Sequence, residues 1–218
     1  MVKIGVLGNQ GKSRTIDILA QLCRNSGMKV GIIKELNLGS VVYGEEVCFL
    51  NYIKELEKNN IDIAILRLTK EGIKNNYFLG IAFDIIIYTI DRGEEEYKKF
   101  YLDKGKLFFA LNADGVYIMN ADDRGAFKLL KGSRTRLITY GFNPRASITT
   151  SSIQQEDINK RLQFCVQRTL TTFSGKKLEP QEFSITLPLN QEQEVYSALA
   201  AVTAAMINDI DIGCKYKI

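Results

Sequence analysis

The sequence has no histidine and no tryptophan, and only three prolines and four cysteines in 218 residues. Each shortage closes off a class of chemistry. Without histidine, the chain cannot assemble a Ser-His-Asp or a Cys-His catalytic set. Cys23, Cys48, Cys165 and Cys214 stand far apart and form no C-x-x-C pair. A zinc site of the usual Cys/His kind is therefore not expected; reduced, mostly buried thiols are. No apolar run reaches the ~18 residues of a membrane span. The first apolar stretch, Ile4-Gly5-Val6-Leu7, has only strand length and runs into glycines and Lys12, unlike a secretory signal. No block of about five like charges marks a binding tail. Glu94-Glu95-Glu96 reads as the solvated start of a helix, and a net charge of +4 does not by itself imply nucleic acid. The expectation is a soluble, cytoplasmic protein with no membrane span and no nucleic-acid partner.

What is present is a core-forming pattern. Hydrophobic residues make up 45% of the chain, enough to bury a sizeable core. Val2–Leu7 reads as a short buried strand. Lys12–Asn25 reads as a helix with Ile16, Leu19, Ala20, Leu22 and Cys23 on one face, stopped by Gly27. Apolar runs at 28–33, 61–68 and 85–90 read as strands, and 45–59 as a helix with Val47, Leu50, Ile53 and Leu56 aligned. A helix is expected within 94–111, a strand over 115–119, a short helix over 122–130 and a strand at Arg136–Tyr140. Strands alternating with helices predict an α/β, doubly wound, mostly parallel sheet. The character changes after residue 142. Over 147–187, Leu162, Phe164 and Val166, then Phe183, Ile185 and Leu187, alternate around the turn Ser174-Gly175-Lys176-Lys177. A small antiparallel C-terminal portion, 142–190, is therefore expected within one domain of 1–218. A final helix over 192–208 presents Val195, Leu199, Val202 and Met206 on one side.

The chemistry concentrates after the first strand. Gly5, Gly8 and Gly11 lead into Lys12-Ser13 at the start of a helix. Glycines let backbone N–H groups converge on phosphate oxygens, and the helix N-terminus adds partial positive charge. Gly8, Asn9, Gln10, Gly11, Lys12, Ser13 and Arg14 are the candidate nucleotide-binding residues. Lys12 is expected to reach the β- and γ-phosphates, and Ser13 to ligate Mg²⁺ through its hydroxyl. The strict P-loop spacing G-x-x-x-x-G-K-[ST] would need glycine at position 6, which is Val6.

The G-x-x-G-x-x-G-K-S layout resembles the central ATP-binding domain of the Mur ligases, the amide-forming ligases of peptidoglycan assembly related to folylpolyglutamate synthases. Further segments resemble that family in order: Lys104-Gly105-Lys106-Leu107-Phe108, Asn120-Ala121-Asp122-Asp123, Thr139-Tyr140-Gly141, Leu187-Pro188-Leu189 and Ala198-Leu199-Ala200-Ala201. The resemblance implies ATP- and Mg²⁺-dependent formation of an acyl phosphate, followed by attack of an amine. It implies that Lys12 and Ser13 hold phosphates and metal, that Asn120 and Asp123 lie near the nucleotide, and that Lys104 matches a lysine carbamylated in some members to hold a second metal.

The departures count as well. Arg67 stands where the family usually places a magnesium-binding glutamate, so Mg²⁺ dependence is expected to be weakened. Thr89-Ile90-Asp91-Arg92-Gly93 lacks the family's histidine, and Asn190-Gln191-Glu192-Gln193-Glu194 replaces its glycine and asparagine. By the same resemblance the N- and C-terminal ligase domains are absent. Amide ligation by this chain alone is then not expected, and another chain is a candidate source of the missing lobes. Three readings follow: an incomplete or degenerate ligase; a non-catalytic nucleotide-binding module or regulatory partner; and an unrelated P-loop ATPase with Asp91 as its acid at a strand end.

Overall fold

A computed structural model describes residues 1–34, 49–89, 111–123 and 135–212. Lys104, Asp91, Cys48, Cys214, the expected helix within 94–111 up to residue 110 and most of that over 122–130 lie outside these residues.

Among the described residues, nine strands form one sheet in the order β11-β8-β7-β6-β5-β4-β1-β3-β2. The parallel part comprises β1 (Val2–Leu7), β2 (Val30–Ile33), β3 (Ile63–Arg67), β4 (Phe83–Tyr88), β5 (Leu111–Asn120) and β6 (Arg136–Tyr140), and β6 runs parallel to the start of β7 (Ile148–Glu156). Then β8 (Asn159–Val166) and β11 (Gln181–Leu187) add antiparallel to β7. The fold expectation holds: a mostly parallel α/β sheet with a smaller antiparallel portion, here a continuation of the same sheet. The turn at 174–177 does not join the two long strands directly. It closes a separate ladder of β9 (Leu170–Thr171) and β10 (Lys177–Leu178), while the β7–β8 hairpin turns at Asp157, which takes φ 51°.

Side chains alternate along each strand, so both faces of the parallel strands are buried. Ile4, Val6, Ile63, Ile65, Ile85, Ile87 and Ile118 pack toward α1 (Lys12–Asn25) and α4 (Glu194–Ile207). Leu7, Ala64, Leu66, Ile86 and Met119 pack on the opposite face, with Phe49 and Ile53 of α2 (Phe49–Lys58) and Ile73 of α3 (Lys70–Lys74). Helix α3 is too short to announce itself by periodicity; Thr69 caps it, accepting a hydrogen bond from Gly72 N.

One expectation needs correcting in kind. Helix α4 does not bury a single side. Every residue from Val195 to Ile207 except Tyr196 is buried. Ala198, Ala200, Ala201, Ala204 and Ala205 keep its surface slim, so it fits between α1 and the sheet.

Strand β1 is central, with β3 on one side and β4 on the other, although the chain visits β2 at the sheet edge in between. That reversal opens a crevice beyond the carboxyl end of β1, where open α/β sheets bind their ligands. Register fixes the walls: Val6 pairs with Arg67, and Leu7 pairs with Tyr88.

Candidate functional site

The loop between β1 and α1 depends on two left-handed glycines. Gly8 takes φ 126°, and a Cβ there would stand 2.3 Å from Thr89 Oγ1. Gly11 takes φ 75° as the N-cap of α1, and no side chain caps the helix. The first turn has no acidic residue and carries Lys12 and Arg14. Positive side chains at the positive end of a helix dipole oppose it by about 0.3–1 kcal/mol each. Glu194, from the other side of the cleft, offsets part of that cost at Arg14.

Lys12 is buried, with 8% of its surface exposed. Among the described residues its ammonium makes a long contact, Nζ donating to Leu68 O at 3.5 Å. Burial, then the nearby Arg67 guanidinium, pushes its pKa down to about 8. Arg67 ends β3. Two residues on from Ile65, it shares the face that packs toward α1.

These groups meet in a cleft of about 300 Å³ lined by the loop, Arg67, Thr89, Tyr140 and the start of α4. The far wall comes from α4, the last helix among the described residues. Ser197 Oγ donates to Gly11 O at 3.3 Å. Arg14 reaches across, its Nη2 donating to Pro188 O and its Nε lying 3.2 Å from Glu194 Oε2. That Nε has no aligned acceptor, so the pair is a charge contact rather than a directed hydrogen bond. Glu194 Oε2 also accepts from Asn190 N at 3.1 Å.

The structure thus brings together Asn9, Gln10, Gly11, Lys12, Ser13, Arg14 and Arg67, with Gly8 beneath them. Asn120 and Asp123 lie outside the lining. Asn120 is buried and its Oδ1 accepts from Asp122 N at 2.9 Å; Asp122 Oδ2 in turn accepts from Phe142 N at 2.7 Å. These bonds fold the turn after β5. Tyr140 stands between that turn and the cleft. Its hydroxyl donates to Tyr88 O at 2.9 Å, and burial, with Tyr196, Asp123 and Asp122 nearby, raises its pKa. Sequence reasoning missed Thr89, Tyr140, Tyr196 and Ser197 as walls. Only the spatial return of α4 places the last two there.

For a metal the donor set is thin. Ser13 offers a hydroxyl, but among the described residues no group of three or more acidic, histidine or cysteine side chains could hold an ion.

A family model described as the Mur ligase middle domain matches residues 6–205. The chain belongs to the Mur ligase middle domain family. Among curated Mur ligases it is similar to the UDP-N-acetylmuramoyl-L-alanyl-D-glutamate--2,6-diaminopimelate ligase of Bacillus cereus, at 22% identity over 96% of this chain and 44% of the relative. The enzyme of that name from Aquifex aeolicus is 23% identical over 95% of this chain and 43% of its own length. A solved structure of such a ligase superposes with TM-score 0.72 at 19% identity, covering 97% of this chain and 44% of that one. Folylpolyglutamate synthetase from Lactobacillus casei gives 0.63 at 10% identity over 95% of this chain and 57% of that one. The chain therefore spans less than half the length of these Mur ligase relatives. Membership of this family does not favour the unrelated P-loop ATPase.

Proposed function

We propose that this chain binds ATP in the cleft beyond β1, as the nucleotide-binding unit of an ATP-dependent acid–amino acid ligase. The observation that carries the reading is the N-terminus of α1: uncapped, free of acid in its first turn, and fitted with a buried lysine. Phosphate oxygens suit this setting. Gly8 and Gly11 both take positive φ, a conformation that lets successive loop amides converge on a phosphate. Lys12 and Arg67 supply charge. Bound ATP would supply the phosphoryl group that activates a carboxylate; this chain's residues would hold and neutralise it. The lobes that carry the acyl and amine substrates would come from the rest of a longer protein or from another chain.

A second reading, a non-catalytic nucleotide-binding module, draws on one observation. Among the described residues the one carboxylate lining the cleft is Glu194, and it is already engaged by Arg14.

Calorimetric titration with ATP tests the proposal. A charge-assisted phosphate contact contributes about 1.5–3 kcal/mol, so Lys12→Ala should weaken binding by about tenfold or more. Equal affinity for wild type and variant would reject it.

A further inference from the structure

The donor set of the cleft and the metal usually carried by a bound triphosphate do not match. Lys12, Arg14 and Arg67 line it, with Glu194 as the one carboxylate among the described residues. Glu194 faces Arg14 and caps Asn190 N, so it is not placed to ligate an ion. Among the described residues, a divalent cation entering beside Ser13 would meet Lys12 and Arg67, and the one lining carboxylate, Glu194, is engaged by Arg14.

We propose that Arg67, together with Lys12, takes the place of the metal ion, so that the cleft binds metal-free nucleoside triphosphate at least as tightly as its magnesium complex. The inference rests on the nucleotide reading above and deepens it.

Three observations support it. First, the parallel register sets Arg67 beside Val6, one residue before β1 ends, so its backbone is fixed at the mouth of the loop. Second, the alternation along β3 turns its side chain toward the α1 face, and it lines the same cleft as Lys12. Third, its guanidinium is close enough to Lys12 to disfavour the ammonium's charge. A guanidinium offers a planar fork of donors that matches two phosphate oxygens at once, and it repels a metal ion. Removing Mg²⁺ makes the triphosphate more negative. A site built from cations should then bind it more tightly, whereas a site built around a metal should lose it.

The experiment compares ATP affinity by calorimetry in excess MgCl₂ and in excess EDTA, for wild type, Arg67→Gln and Arg67→Glu, with far-UV dichroism and melting curves as fold controls. Wild type should bind in EDTA at least as tightly as in magnesium. Arg67→Gln should lose about tenfold or more in EDTA, and lose less in magnesium. A wild-type affinity that falls about tenfold or more on chelation would overturn the inference, and that arm needs no variant. So would the same magnesium-to-EDTA ratio in wild type and folded Arg67→Gln. Binding only with magnesium overturns this inference and leaves the nucleotide site standing; no binding under either condition overturns both.

Discussion

Gly8 rests against Thr89: a Cβ on the glycine would lie 2.3 Å from the threonine Oγ1 and 2.8 Å from its carbonyl oxygen. Thr89 in turn donates its hydroxyl to Leu7 O at 3.1 Å. The loop therefore leaves β1 over the end of β4 with no room for a side chain, and its path is set by backbone as much as by sequence.

Gly8→Ala should accordingly cost more than a strained turn alone. An unusual backbone region costs about 1–3 kcal/mol for a non-glycine residue, and here a clash with backbone is added. Gly27→Ala is the control, because Gly27 also has positive φ (82°) but nothing within 4 Å of its Cβ position. Urea unfolding should show the larger loss at Gly8. Equal losses would mean that the Thr89 contact relaxes freely.

Lys12 makes stability and binding move with pH. Its folded pKa is lowered from 10.5 to about 8. Between those values the unfolded chain binds more protons, so stability rises with pH across that window and the penalty of the buried charge is fully present below about 8. Denaturant titrations of wild type and Lys12→Met from pH 7 to about 10 should show the wild type gaining on the variant above pH 8. Binding has the opposite trend: phosphate needs the ammonium, so ATP affinity should fall above pH 8 and binding there should take up a proton. Calorimetry in two buffers of different ionisation enthalpy reads that uptake, and its absence would show that Lys12 keeps its charge throughout.

Arg14 and Glu194 tie the first turn of α1 to the start of α4, with each side chain partly exposed (31% and 21%). A double-mutant cycle with Arg14→Ala and Glu194→Ala should give a coupling of about 0.5–1 kcal/mol that shrinks in high salt. Coupling that salt leaves unchanged would argue for packing instead of charge.

How far the sequence could be read depended on how local the cause was. Helix α1 over Lys12–Asn25 and strand β6 over Arg136–Tyr140 matched their expected bounds, because glycines, charge and apolar spacing mark them within a few residues. Strand β5 begins at Leu111, well before the expected 115. Asn112 and Asp114 are poor strand residues; they fall where the β4–β5 register jumps from Phe83–Leu111 to Ile85–Val116, and Asn112 Nδ2 donating to Asp84 Oδ1 ties that stretch to β4. In the cleft, residues 9–14 were legible from the motif. Arg67 was legible as a position but not as a direction, since strand residues alternate and one step of register reverses them. Tyr196 and Ser197 were not legible at all, because nothing near them in sequence says that α4 returns to the loop.

That return sets a timetable for synthesis. Gly11 and the Ser197 that bonds to it are 186 residues apart. At ~5–20 residues per second, a ribosome needs on the order of 10–40 s between making one and making the other. For that interval the phosphate loop exists without its far wall, and α1 has its apolar face but no α4 to cover it. The site is thus a late event in the life of the nascent chain, assembled only once almost all of the fold has emerged.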